Sequence, residues 1–181
     1  GLNLQMFLYL FNVCADGSNP YAGVPAGVLY MHAARSVMTV ETKRSAEKDI
    51  AGQEDKAFGM NGIVITNPDC DIPAAMEHDL AGKYIPVRLK KSGVGGSLAS
   101  LEQLGLLQRK IEALVADMGN ALQNGQIGQH PVQAKDHDKT CEYCDFASVF
   151  ALKKSVTPRT YDDQTDSAVL AELEKEGESH A

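Results

Sequence analysis

The chain opens with an almost continuous run of hydrophobic residues. Positions 2–15 are rich in Leu, Met and Phe, and this length and content favour a buried helix over a strand. The turn-forming segment Asp16-Gly17-Ser18-Asn19-Pro20 follows directly and is expected to end the helix. We therefore predict a buried helix over 2–15.

Shorter hydrophobic runs further along predict strands. These runs are residues 24–32, centred on Val28-Leu29-Tyr30, residues 62–66, and the loosely alternating residues 84–89. Residues 41–56 are charged and predict a mobile insertion or an exposed helix. Residues 90–96 are basic and glycine-rich, and predict a flexible loop.

A long amphipathic helix is predicted from Ser100 onward. Ser100-Leu101-Glu102-Gln103 fits the capping-box pattern, and Asn124-Gly125 should end the helix. Upstream, Asp69 or Asp71 is a candidate N-cap for a short helical segment through Met76. Hydrophobic residues recur at steps of three and four along the long helix: Leu101, Leu104, Leu107, Ile111, Leu114, Val115, Met118 and Leu122.

Composition and charge narrow the class of protein. With 181 residues, 44% hydrophobic and 23% charged, the chain resembles an ordinary globular domain, and it has no apolar run long enough to span a membrane. Residues 162–181 carry seven acidic side chains and one lysine, so −6 of the net charge of −7 lies there and −1 in the remainder. Charge alone thus gives no support for nucleic-acid binding.

Four residues with polar groups interrupt the first hydrophobic run: Asn3, Gln5, Tyr9 and Asn12. Gln5, Tyr9 and Asn12 stand at i, i+4 and i+7, which places them on one face of a helix. A polar group buried without a partner costs about 1–3 kcal/mol, so this stripe must face polar groups or water. Two interpretations stay open: the stripe lines a catalytic cleft, or Gln5 and Tyr9 bond to neighbouring backbone.

Cys141 and Cys144 form a C-x2-C pair, the spacing at which two thiolates bind one metal or cluster. The pair supplies half of a four-ligand site, and His130 or His137 could complete a zinc site. Four cysteines without a signal segment indicate a reducing, cytoplasmic setting. On the hydrophobic run, Cys14 is expected to be a packing residue.

A local basic patch is formed by four residues: Lys83, Arg88, Lys90 and Lys91. These side chains can contact a phosphate backbone or simply form a solvated edge, and both interpretations stay open. The adjacent Gly93–Gly96 segment lacks the Lys-Ser/Thr of a phosphate-binding loop.

With these residues in view, the order of motifs resembles a known family. Gly1-x3-Gln5-x3-Tyr9 is similar to the helix motif that follows the catalytic Asp–Tyr–Lys strand in RecB-like members of the PD-(D/E)XK nuclease superfamily. Other segments resemble the B subunits of AddAB/RexAB-type ATP-dependent helicase–nucleases. In chain order they are the strand Pro25–Tyr30, Met60–Val64, Tyr84–Val87, the Ser100-capped helix and the cysteine motif Cys141-x2-Cys144-Asp145-Phe146-x2-Val149.

The resemblance implies an α/β fold: a partial PD-(D/E)XK, restriction-endonuclease-like core in which a mixed sheet packs against the Gln5 helix and the long Ser100 helix. Residues 1–155 would be the C-terminal part of a RecB-like nuclease domain, and residues 156–181 an acidic, flexible tail. The parent protein would be a cytoplasmic deoxyribonuclease (exonuclease) that forms a heterodimer with the A subunit of the helicase–nuclease. It would process DNA double-strand ends for recombinational repair.

The resemblance also implies a site. Mg²⁺ would be held by acidic residues, a lysine would stabilise the transition state, Gln5 would orient the active site or contact DNA, and Tyr9 would support Gln5. Those acidic and lysine residues are expected before Gly1, so this segment alone is expected not to cleave DNA.

The chain departs from the family at its cysteine motif. The family holds a [4Fe–4S] cluster with three cysteines here in a C-x2-C-x5-C pattern and one far upstream, and Phe150 stands at the third position. Because a phenyl ring cannot ligate iron, the cluster would be absent, altered or completed by another residue. Cys141 and Cys144 would then be remnants or bind another metal.

Two other functions remain in view. A nuclease fold without its acidic motif would be a non-catalytic DNA- or partner-binding module, and the sequence before residue 1 distinguishes this from an enzyme. A small zinc-binding structural domain could be built on Cys141, Cys144 and a histidine, and elemental analysis would detect it.

Overall fold

A computed structural model describes residues 4–31, 33, 57–126, 128, 132–134, 145 and 159–179. Its helices and strands, in chain order, are α1 (Gln5–Ala15), β1 (Gly27–Tyr30), β2 (Asn61–Thr66), α2 (Ile72–Met76), β3 (Val87–Lys90), β4 (Gly93–Gly96), β5 (Leu98–Ser100), α3 (Leu101–Gln123), β6 (Val132–Ala134), β7 (Arg159–Tyr161) and α4 (Asp166–Ser179).

The centre of the fold is a three-stranded mixed sheet in the order β1-β2-β5. Strand β1 runs antiparallel to β2, and β5 runs parallel to it. Successive side chains of a strand point to opposite faces, yet Ile63, Val64 and Ile65 are all buried, so β2 is covered on both sides. The predicted α/β class and mixed sheet are confirmed.

Helices cover one face of the sheet. Ile63, Ile65 and Ala99 form a core there with residues of all three long helices. Those helix residues are Phe7, Leu10 and Phe11 of α1, Leu101, Leu104 and Leu107 of α3, and Leu170 of α4. The expected packing of the Gln5 helix and the Ser100 helix against the sheet is therefore observed.

A hairpin covers the opposite face. Val64 packs there with Leu80, Ile85 and Val87, and β3 and β4 pair in antiparallel register, with Arg88 opposite Gly95 and Lys90 opposite Gly93. The prediction of a flexible loop over 90–96 was wrong, because backbone pairing with β3 orders this segment despite the low strand propensity of glycine. The strand predicted over 84–89 begins at Val87 instead.

Local capping signals were predicted correctly. Ser100 Oγ accepts the N–H of Gln103 at 3.1 Å, and Gln103 Oε1 accepts the N–H of Ser100 at 2.8 Å, which is the reciprocal capping box. Asp71 is the N-cap of α2 and accepts the N–H of Ala74. Helix α3 ends at Gln123, with Asn124 as its C-cap.

Two other predictions need correction. Helix α1 is not buried, because none of its residues is fully covered and Tyr9 is 54% exposed. The C-terminal segment was expected to be flexible, yet residues 166–179 form α4, whose Leu170 and Leu173 are buried. Hydrophobic contact with α3 orders this acidic stretch. The domain boundary at residue 155 stays a prediction, and residues 41–56 lie outside the described ranges.

Candidate functional site

The polar stripe of α1 faces away from the sheet. Phe7, Leu10 and Phe11 point into the core, and at 3.6 residues per turn Gln5 and Tyr9 lie on the opposite side of the helix. Both residues are exposed, and Gln5 Nε2 donates to the Tyr9 hydroxyl at 2.8 Å. The structure thus brings these two predicted site residues together on an open surface.

The bond between Gln5 and Tyr9 decides what the pair can do chemically. Gln5 bonds to a side chain, whereas Asn12 on the same stripe donates to the backbone carbonyl of Leu8. Among the described contacts Gln5 therefore bonds to a side chain, and its role at a catalytic cleft stays a prediction. A carboxamide has a second N–H and an acceptor oxygen, so a Gln5 side chain steadied by Tyr9 can still bind a phosphate oxygen or a water molecule.

The predicted basic patch lies on and beside the hairpin. Arg88 and Lys90 are alternate residues of β3 and so share one face, while Lys91 is at the turn that follows. All three are exposed. Within the described ranges, none of them has a carboxylate at ion-pair distance. Lys83 lies before the hairpin, with its Nζ 5.3 Å from the centroid of the Tyr84 ring.

A buried carboxylate holds the segment that leads into this patch. Glu77 is 8% exposed and accepts the backbone N–H groups of Lys83, Tyr84 and Ile85 at 2.9, 3.1 and 3.1 Å. Burial by itself would raise the pKa of Glu77, but the backbone donors favour the charged form and leave its pKa below the ordinary value. Sequence reasoning missed this residue.

The same segment contains a strained residue. Leu80 adopts a φ of 44°, a left-handed conformation that is unusual for a large side chain, and its side chain is buried in the hairpin-side core. The carbonyl of Leu80 accepts the N–H of Leu89 at 2.8 Å. Residues 77–87, which connect the sheet and its packed helices to the basic hairpin, are therefore fixed in one conformation.

The two predicted groups of site residues lie on opposite sides of the sheet. Helix α1 packs on the face that carries Ile63 and Ile65, whereas the hairpin packs on the face that carries Val64. The Gln5–Tyr9 pair and the Arg88–Lys90 patch are consequently not parts of one cluster, and any common ligand must extend past the sheet.

An open cleft among the described residues lies elsewhere. It is lined by Asn67, Asp69, Cys70 and Asp71 after β2 and by Val94 of the hairpin. The side chains of Asn67 and Asp71 accept backbone N–H groups of Asp69 and Ala74, so they shape the turn and cap α2. Nothing in the sequence predicted a site here.

Comparison with known proteins places these features in a family. B subunits of ATP-dependent helicase/deoxyribonucleases match over 97% of this chain: those of Bacillus thuringiensis (strain Al Hakam) and Bacillus thuringiensis subsp. konkukian are 30% identical, and that of Bacillus anthracis is 29% identical. The chain belongs to this family of helicase/deoxyribonuclease B subunits. It spans 16% of the length of these relatives. No family model matches the chain.

The family assignment agrees with the resemblance drawn from the sequence, but the metal predictions stay untested. Cys141, Cys144 and Phe150 lie outside the described residues, while Cys14 is half-buried and Cys70 is exposed. In the parts of the chain that the structure describes, no three His, Cys, Asp or Glu side chains are grouped to hold a metal ion.

One further observation concerns membranes. Among the helices of the described ranges, none has both the length and the hydrophobicity that a bilayer crossing requires.

Proposed function

We propose that this chain is part of the nuclease domain of a helicase–deoxyribonuclease B subunit, which processes DNA double-strand ends by phosphodiester cleavage in recombinational repair. The names of its relatives support deoxyribonuclease activity for the family. The observation that carries the proposal for these residues is the Gln5–Tyr9 pair, held 2.8 Å apart on the outer face of a helix that packs on a mixed sheet.

The sheet has room for the strand that the proposal requires. Strand β1 is at the edge of the sheet, and within the described ranges no strand pairs with its outer side. Because Ala26 and Ile65 share a backbone hydrogen bond, the backbone groups of Gly27 and Leu29 point away from β2. A strand that precedes α1 would add there, in parallel with β1, to complete a β–α–β unit.

This placement brings the proposed catalytic groups close to α1. The strand that carries the acidic and lysine residues is predicted to lie before residue 1, and Gln5 is the first residue of the helix that would follow it. When bound to those acidic residues, Mg²⁺ would stabilise charge on the reacting phosphate. The Gln5 amide would bind a phosphate oxygen or the attacking water, and the Tyr9 hydroxyl would fix the amide's orientation.

The proposed assembly follows from the same assignment. The word "subunit" in the relatives' names supports a complex, and we propose the A subunit of a helicase–nuclease as the partner, DNA as the substrate and the cytoplasm as the location. The alternative of a non-catalytic DNA-binding module is favoured by one observation, the exposed basic hairpin. A complete complex that binds DNA without cleaving it would distinguish this non-catalytic module from a nuclease.

The test replaces Gln5 by alanine in the complete natural protein, assembled with its partner. Loss of one oriented donor at a phosphoryl centre should lower kcat for Mg²⁺-dependent DNA cleavage on the order of 100-fold. The melting temperature should change little, because Gln5 is exposed and contributes nothing to the core.

The matched control is Gln123→Ala, which removes the same side chain from an exposed position near the end of α3. It should cleave at the wild-type rate. Unchanged kcat in Gln5→Ala would show that Gln5 takes no part in cleavage. A wild-type complex that binds DNA without cutting it would support the non-catalytic module.

A further inference from the structure

The basic face of the β3–β4 hairpin has almost no side chains other than its two cations. The residues that pair with Arg88 and Lys90 are Gly95 and Gly93, so the opposite strand presents only backbone on this face. Hydrophobic side chains lie on the other face, where Leu89 pairs with Val94. The hairpin thus separates a flat, cationic surface from an apolar one.

Glycines also determine where the two cations lie. A Cβ atom added to Gly95 would be 3.3 Å from Cδ, Cε and Nζ of Lys90, so the lysine stem lies across the strand at that position. A Cβ atom on Gly82 would be 3.1 Å from Cβ of Arg88, so the arginine stem lies against bare backbone as well.

The consequence is that one face of the hairpin carries two like charges. Gly95 is the direct partner of Arg88. The Lys90 side chain lies over Gly95, and the Arg88 stem lies against Gly82. Since no carboxylate of the described residues neutralises the pair, the arrangement favours an external anion.

We infer that the glycine face of this hairpin is a second contact surface for DNA, which binds a phosphate of the sugar–phosphate backbone between Arg88 and Lys90. The guanidinium provides a planar fork of donors and the ammonium a compact charge. The open space at Gly93, whose Cβ position has no other atom within 4 Å, lets the DNA backbone approach the strand closely at that point. Because no group here reads a base edge, the contact is independent of sequence.

The inference rests on the proposed function but concerns a different step. The hairpin lies across the sheet from the Gln5–Tyr9 pair, so it would hold the DNA away from the point of cleavage. Its variants should therefore change DNA affinity and KM, and leave kcat at saturating DNA unchanged, whereas Gln5→Ala changes kcat.

The deciding variant is Gly95→Val, which alters no charge. Gly95 has no left-handed φ, so a β-branched residue suits its strand position, and the added side chain displaces Lys90. Lys90→Gln, which removes the cation without touching the backbone, is the second variant. Arg109→Gln is the matched control, because it removes an exposed cation from α3.

The measurement is the dissociation constant of the complete protein for two DNA duplexes of unrelated sequence, without Mg²⁺, over a range of salt concentrations. Lys90→Gln and Gly95→Val should each weaken binding roughly threefold to tenfold on both duplexes. The salt slope of log K should become shallower by about one. Arg109→Gln should bind like wild type, and all variants should keep the wild-type melting temperature.

Wild-type affinity and salt slope in both Lys90→Gln and Gly95→Val would overturn the inference, and would leave the cleavage proposal intact if Gln5→Ala still lowers kcat. An effect of Arg109→Gln equal to that of Lys90→Gln would also overturn it, since bulk charge would then explain binding. Weaker binding by the hairpin variants in a complex that never cleaves DNA would support the inference and reject the nuclease proposal.

Discussion

Glu77 accepts backbone N–H groups from Lys83, Tyr84 and Ile85, and so fixes the segment that leads into the basic hairpin. Replacing Glu77 by glutamine puts an NH2 group where an acceptor is needed. We expect Glu77→Gln to reduce the free energy of unfolding by about 1–3 kcal/mol, measured by urea denaturation. Glu112→Gln, at an exposed position of α3, should change it by no more than about 0.5 kcal/mol.

The Glu77 carboxylate should also make the free energy of unfolding depend on pH. The pKa of Glu77 is lower in the folded chain than its ordinary value, so the folded state binds fewer protons than the unfolded state in that range, and stability rises with pH. The contribution should be complete above about pH 4.3, the ordinary glutamate value, and disappear as the pH falls through the folded pKa. Equal loss of stability on acidification in wild type and Glu77→Gln would contradict this.

Residues differ in how far the sequence alone could assign them. Ser100 was predicted as a cap, and Asp71 as one of two candidates beside Asp69. Each observed cap bonds to a backbone group three residues away, a spacing that a local pattern reveals. Glu77 was missed because its partners are six to eight residues away in an irregular segment. Helical spacing placed Gln5 and Tyr9 on one face of α1. It did not indicate that both side chains are exposed.

Elements in this chain follow their hydrophobic pattern where that pattern is long. Helix α3 was predicted almost to the residue, whereas the glycine-rich strand β4 was predicted to be a loop. A strand of Gly-Val-Gly-Gly has no local signal, and forms because β3 is already held beside it. Helix α4 was hidden by its acidic composition, since two buried leucines are a weak pattern among seven carboxylates after residue 161.

The packing of α4 on α3 should contribute to the stability of the fold. Leu170 is 5% exposed and lies in the core with Ile63 and Leu104. Leu170→Ala should cost about 2–5 kcal/mol of unfolding free energy, measured by thermal or urea denaturation. The neighbouring Val169 is 37% exposed, so Val169→Ala should cost far less. Equal effects of the two substitutions would mean that α4 is not packed on the core in solution.

At the scale of the whole molecule, one sheet separates two surfaces with different proposed tasks. The resemblance in sequence correctly indicated the family and the mixed sheet, but it could not indicate that the Gln5–Tyr9 pair and the basic hairpin lie on opposite faces. That separation depends on which side of β2 each element covers, and alternation along a strand buried on both faces carries no such information.

The central claim is that the outer face of α1 lies at the site where DNA is cut. The most direct test is photo-crosslinking from position 12, on the same exposed stripe, in the complete complex with a DNA end and with calcium in place of magnesium. A photoreactive residue at Leu122, 74% exposed and about 22 Å along α3 from Leu107, is the control. The account predicts crosslinks from position 12 at the scissile nucleotides and none from position 122. An absence of crosslinks from position 12, or equal yields from both positions, would contradict it.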